Sequence, residues 1–141
     1  MINSSHVQAS IKYVFNASSL INLENLRQLR LLDQIGDRIV VPKPVEKEVN
    51  KPRSGLEAWL SHNRKRVINF LPEEGRFYLS LQRQRTPKIG DGEAAAIAVA
   101  MNRNHTLVID DKAAMDKAEE HGVHCLTTHQ FLQLPLFGWE T

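Results

Sequence analysis

The chain has a single cysteine among its 141 residues. Cys125 has no internal disulfide partner, and such sparing use of thiols fits a reducing compartment, so the expected location is the cytoplasm. Long apolar runs are missing too. None approaches the roughly 20 residues of a membrane helix, and MINSSHVQAS at the start lacks the apolar centre of a signal peptide, so no membrane partner is expected. There is no glycine loop of the GxGxxG or Walker type, which leaves little support for a nucleotide-binding or phosphoacceptor domain beyond the Asp110–Asp111 pair. The histidines (His6, His62, His105, His121, His124 and His129) show no zinc spacing with Cys125 and read as structural or exposed. Repeats, linkers and low-complexity segments are absent. The net charge of +2 permits nucleic-acid binding without arguing for it.

What remains is an ordinary globular composition, 42% hydrophobic and 24% charged, in a length that suits one domain over residues 1–141. Ile11–Phe15 reads as a buried strand. A helix capped by Ser18 or Ser19 follows, with Leu23, Leu26, Leu29, Leu32 and Ile35 forming an apolar stripe that Gly36 stops. Arg38–Pro42 reads as a second strand, PKPVEKEV as a helix, Lys51–Gly55 as a break and Leu56–Lys65 as a helix. Val67–Phe70 is a third strand, and PEEGRFYLSLQRQR a helix whose acids and bases match the helix dipole. Thr86–Gly92 reads as a loop, EAAAIAVAMNR as a central helix and His105–Asp110 as a strand. A helix closed by Gly122, a strand VHCL and a short helix capped by Thr127 or Thr128 complete the chain. Alternating strands and helices predict an α/β fold, a three-layer α/β/α sandwich around a parallel sheet. In such sheets chemistry gathers at the carboxyl ends of the strands.

Several polar groups fall at that edge. Asn16 follows the first strand and Asp110–Asp111 the fourth. Glu93 opens the alanine-rich helix, with Ile97 and Met101 on its own face. Glu48 adjoins the Val45/Val49 stripe, while Glu46 and Lys47 are expected on the solvent side. A carboxylate aimed at a core is costly unless paired, hydrogen-bonded or bound to metal. Converging carboxylates repel one another, and a hard divalent cation relieves that repulsion and activates water against a phosphodiester. Each group also has a plainer role: Asn16 as a turn or cap, Glu93 as a dipole partner, Asp110–Asp111 as a cap, Glu48 as an arginine partner or a solvated acid.

In this order the motifs resemble those of PIN-domain ribonucleases from about residue 12 to 126, with residues 127–141 as a terminal helix and tail. NASSLINL is similar to the family's first motif, with Asn16 in place of an aspartate and the serine kept as Ser18. VVPKPVEKEV resembles the segment that carries the family's glutamate, here Glu48. GDGEAAAIAVA matches the third motif at Glu93, and VIDDKAAMDKAEEHGV the fourth at Asp111, with Asp110 a rival. Asp91 reads as a supporting acid. The resemblance implies a Mg²⁺- or Mn²⁺-dependent endoribonuclease, with Asn16, Glu48, Glu93 and Asp111 catalytic and these plus Asp110 as metal ligands. It also implies a VapC-like toxin of a VapBC-type pair, silenced by a small antitoxin and often a homodimer. GDGEAAAIAVA with IDDKAA looks closer to a less-studied branch than to the best-known toxins.

Asn16 offers a neutral carbonyl oxygen where the family offers an anion. Two origins fit: a naturally weak member, or an engineered exchange that makes a toxic nuclease tolerable. The retained acids favour the second. The competing reading is a catalytically silent PIN-like module that binds RNA or protein. Basic groups at Lys51–Arg53, Arg64–Arg66 and Arg83, Arg85 and Lys88 are either phosphate guides or solvated helix ends, and the last group precedes GDGE. Tyr78 and Phe77 are candidates for base stacking, with Phe77 better suited to the core. Trp59, Phe137 and Trp139 fit either core or an interface.

Overall fold

The computed structural model describes residues 11–49, 54–84 and 88–135. Five strands form one parallel sheet: β1 (Tyr13–Phe15), β2 (Ile39–Pro42), β3 (Val67–Ile68), β4 (Thr106–Val108) and β5 (Cys125–Leu126), in the order β3-β2-β1-β4-β5. Tyr13 pairs with Ile39 on one side and Thr106 on the other, and Phe15 lies beside Val108. Every residue of β1, β2 and β4 is buried, as their unbroken apolar sequences require when both sheet faces are covered.

The helices are α1 (Ala17–Asn25), α2 (Lys43–Val49), α3 (Ser54–His62), α4 (Pro72–Arg83), α5 (Asp91–Arg103), α6 (Lys112–Glu120) and α7 (Thr128–Leu132). From β1 the chain steps outward to β2 and β3, then crosses back beyond β1 to β4 and β5. Right-handed crossovers moving in opposite directions put their helices on opposite faces. In the packing, α1, α2 and α3 touch one another and α5 runs along both α4 and α6, while α2 also packs closely on α5. The chain is therefore an α/β sandwich, and its strand order reverses between β1 and β4, where open sheets present their binding crevice.

Several local expectations need correction. The leucine stripe is not one helix. The chain leaves α1 after Asn25, Arg27 takes φ 58°, and Leu29–Gln34 and Gly36–Arg38 are 3₁₀ turns. Leu26 is consequently 55% exposed. Gly36 opens a turn instead of closing a helix. Asp91 and Gly92 belong to α5, not to the preceding loop, and Gly55 belongs to α3. The residue at the start of α1 is Asn16, whose carbonyl accepts from Leu20 N–H, and not Ser18 or Ser19.

The core joins β1 and β4 to α5, whose Ala94–Ala100 run is buried and lets backbone approach closely. Phe131 of α7 stands edge-on to Tyr13 and Phe15 at 5.3 and 5.1 Å. Trp59 is buried and donates its indole N–H to Asp33, so it serves the core. Cys125 is a buried strand residue, as expected. Phe137 and Trp139 lie outside the described residues, as do Lys51–Arg53 and Arg85.

Candidate active site

Asn16 follows β1 directly, and its amide N–H donates to Val108 O across the strand gap at 3.1 Å. That bond fixes the carboxyl ends of β1 and β4 together, so Asn16 and the residues after Ile109 share one edge. The Asn16 side chain is buried, 2% exposed. Its Nδ2 donates to Ser18 Oγ at 3.1 Å, and its Oδ1 has no hydrogen-bond partner. A buried acceptor left unpaired costs about 1–3 kcal/mol, so a group that ligates it would recover that cost. Ser19, next along, is an anchor: its hydroxyl donates to Val108 O at 2.9 Å.

The aspartate pair divides cleanly. Asp110 turns away from the acids. Its Oδ2 accepts from Asn22 Nδ2 at 2.5 Å and from Thr128 Oγ1 at 2.6 Å, and its Oδ1 accepts from Thr128 N–H at 2.8 Å. Asp110 thus ties β4 to α1 and α7. Asp111 caps α6, accepting from Ala114 N–H at 2.8 Å, and also meets the Glu93 carboxyl.

Glu93 sits on the first turn of α5 and reaches back to accept from Gly90 N–H at 3.0 Å. Burial raises its pKa. The Gly90 hydrogen bond opposes this, while the charges of Asp111 and Glu48 and the contact with Asp111 raise it further. Three carboxylates from α2, α5 and the start of α6 therefore act on one another.

Glu48 reaches that group by a route the helix pattern hides. Glu46, expected in solvent, is the buried acid of α2, ion-paired with Arg64 and with Lys43 beyond it. Glu48, expected beside the core stripe, lies on the exposed side of α2 with its carboxylate against Gly92 of α5. A Cβ at position 92 would occupy the place of Glu48 Oε1. The absence of a side chain there is what admits the acid.

Asp91 is exposed, accepts from Gln82 Nε2 at 2.7 Å and lines a cleft of about 390 Å³ with Pro44, Lys47, Glu48 and Tyr78. Arg83 and Lys88 line a neighbouring depression with Gln82 and Gln84. Phe77 is partly buried and edge-on to His121, in the core role expected of it.

Sequence reasoning missed Glu74. It is wholly buried, with both oxygens on Arg103, one also on Asn102 and the other on Leu71 N–H. Its signal is the arginine near the end of α5, which no local pattern links to α4.

The donor types, three carboxylates and an unpartnered amide oxygen at the carboxyl edge of the sheet, suit a hard divalent cation in chemistry. As the side chains stand, no group of three His, Cys, Asp or Glu residues among the described residues closes around one point, so the fit is one of donor type and not of geometry.

The family model DUF3368, a PIN domain, matches residues 12–133. Among solved structures, a PilT N-terminus domain protein, SSO1118 from Sulfolobus solfataricus P2, is similar at TM-score 0.55 and 18% identity, with 93% of this chain and 98% of that one covered. PAE2754 from Pyrobaculum aerophilum is similar at TM-score 0.58 and 17% identity, with 86% of this chain and 94% of that one covered. These likenesses carry the fold alone. No curated protein matches the chain.

Proposed function

Because this chain belongs to the PIN-domain family, we propose that it is a divalent-metal-dependent endoribonuclease whose activity is weakened by Asn16. PIN domains are typically nucleases. The observation that carries the reading is the carboxyl contact between Glu93 and Asp111, with Glu48 in electrostatic reach and the orphaned Asn16 Oδ1 at the same sheet edge.

Glu48, Glu93, Asp111 and the Asn16 carbonyl oxygen are the groups that would hold Mg²⁺ or Mn²⁺. When bound, the cation supplies a Lewis acid that favours water ionisation and offsets charge on the phosphodiester oxygens. The chain's own residues do the rest. Whichever of these carboxylates lies within hydrogen-bond reach of the attacking water would take its proton, and Glu93, on the first turn of α5, is placed for that role. Asp111 is oriented for that exchange by the Ala114 N–H. Arg83 and Lys88, with Arg85 of the predicted group, draw the phosphate backbone towards the acids. Ser18 holds the Asn16 amide in place and would hold an aspartate there by donating its hydroxyl. Asp91 supports the cleft rim, and Asp110 keeps β4 in register with α1 and α7.

The biological setting we propose is the toxin of a VapBC-type pair, acting on RNA in the cytoplasm, restrained by a small antitoxin and forming a homodimer. What supports this setting is the resemblance of the chain's motifs to those of VapC-like toxins; the family match supports the nuclease reading alone. Among the described residues no helix is long and apolar enough to cross a membrane.

The test is cleavage of total bacterial RNA with and without Mn²⁺. The Asn16→Asp variant is expected to cut at least tenfold faster than the chain with Asn16. Adding Glu93→Gln or Asp111→Asn to it abolishes cutting, and adding Asp110→Asn lowers stability while sparing the chemistry. Tight RNA or protein binding with no cleavage by Asn16→Asp at any metal concentration establishes the silent binding module instead, a reading that Asn16 itself favours.

A further inference from the structure

The cleft beside the acids has walls that the chemistry above does not use. Tyr78 of α4 forms one side. Its ring packs on Phe70, centroid to centroid 4.8 Å and tilted 45°. Tyr78 also lines the open cleft, with Lys47 and Pro44 of α2 at the same wall. Gln82, one turn on from Tyr78, donates from the same Nε2 to Tyr78 Oη at 3.0 Å and to Asp91 Oδ1 at 2.7 Å. It fixes the ring and the rim as one unit. Burial raises the Tyr78 pKa; the charges of Asp91 and Glu48 raise it further and the Gln82 hydrogen bond opposes them, so the hydroxyl stands within the field of the acidic group. Gln82 also borders the depression that holds Arg83 and Lys88. The path from the acids therefore runs past an aromatic ring and an ammonium, then over an amide, to two cations.

We propose that this cleft is a nucleotide subsite for single-stranded RNA: Tyr78 stacks on the base next to the scissile phosphate, Lys47 pairs with the adjoining phosphate, and the strand leaves over Gln82 towards Arg83 and Lys88. The proposal rests on the nuclease reading. Its physical basis is the combination single-strand grooves need, a π-face for a base and cations spaced for the backbone. A half-buried phenol backed by a second ring presents a fixed platform at little entropic cost. A base inside a duplex is already stacked and has no free face for Tyr78, so the subsite selects unpaired strands.

The experiment measures binding of fluorescein-labelled oligoadenylate, oligouridylate and a duplex oligoribonucleotide by anisotropy in Mg²⁺. The protein carries Asn16 and Glu93→Gln, so that no strand is cut. Tyr78→Leu keeps an apolar contact for Phe70 and removes the ring, while Tyr78→Phe keeps the ring and removes the hydroxyl. We expect Tyr78→Leu to weaken oligoadenylate binding about tenfold and to erase a preference for adenine over uracil. Tyr78→Phe stays within about twofold, Lys47→Gln flattens the salt dependence, and the duplex binds weakly to every form. In the Asn16→Asp background Tyr78→Leu raises KM more than it lowers kcat. Equal oligoadenylate affinity of the parent and Tyr78→Leu, with Asn16→Asp still cutting RNA, overturns the subsite alone. An equal loss in the Phe and Leu variants overturns stacking in favour of the hydroxyl. Failure of every form to bind single strands, with no cleavage by Asn16→Asp, overturns both the subsite and the nuclease reading.

Discussion

Gly92 shows how one residue type can serve a site rather than its helix. A glycine inside a helix is disfavoured by about 1 kcal/mol relative to alanine, and position 92 is on the first turn of α5 with an ordinary negative φ. Nothing in the backbone asks for glycine there; the Glu48 carboxylate does. Gly92→Ala is therefore expected to hold or slightly raise thermal stability while displacing Glu48. In the Asn16→Asp background, cleavage and Mn²⁺ affinity by calorimetry should both fall at least tenfold. Unchanged affinity would remove Glu48 from the site. The same residues mark the limit of pattern reading. Val45 and Val49 are buried as the sequence demands, and Glu46 and Glu48 flank that stripe on either side. A helical wheel cannot choose between them. The choice is made by what lies outside the helix, Arg64 and Lys43 on one flank and Gly92 on the other. Likewise Asp110 and Asp111 are adjacent acids after a strand, and only the positions of Asn22, Thr128 and Glu93 separate a clamp from a site residue.

Between elements, the Glu74–Arg103 pair holds the amino end of α4 to the carboxyl end of α5, and both helices feed the site. Glu74 is wholly buried and Arg103 is 23% exposed. Burial alone would raise the Glu74 pKa; the hydrogen bonds from Arg103, Leu71 N–H and Asn102 outweigh it and hold the carboxyl below its ordinary value. A depressed carboxyl pKa stabilises the fold at pH values above the unfolded-state pKa, and the benefit is lost as pH falls through the folded one. Glu74→Gln leaves Arg103 without its counter-charge and is expected to cost about 3 kcal/mol at pH 7 by urea unfolding. The gap should narrow as pH falls below the ordinary glutamate range and close as it passes through the lowered pKa of the folded state. A gap independent of pH would mean that packing, not charge, carries the effect. At this scale the strands and most helices were legible because apolar runs and alternating elements report burial directly. The break after α1 was legible but misread. Leucines at every third residue turn by roughly 300° per step on an α-helix and make no stripe, whereas they align on a 3₁₀ helix of three residues per turn. Leu29–Gln34 adopts that geometry.

Across the whole molecule, the proposed site would be the meeting point of elements far apart in sequence. Asn16 comes from the end of β1, Glu48 from α2, Glu93 from α5, and Asp111 from the entry to α6. The sheet order makes this meeting possible, because the reversal between β1 and β4 leaves a crevice where both strands end. The cost is electrostatic. Like charges held together oppose folding, and if a cation offsets them, ligand and fold are linked by mass action. Asn16→Asp adds a fourth negative charge and should lower the melting temperature in EDTA by several degrees. Saturating Mn²⁺ should then more than restore it: at about 100 times Kd the linkage amounts to about 2.7 kcal/mol, or about 5–10 °C for a domain of this size. The chain with Asn16 should start higher and gain less, and Asn16→Asp combined with Glu93→Gln should gain least. Differential scanning fluorimetry across a Mn²⁺ series reads all of this without any RNA. If Asn16→Asp melts at the same temperature with EDTA and with saturating Mn²⁺, the acids do not form a cation site, whatever nuclease activity the protein shows.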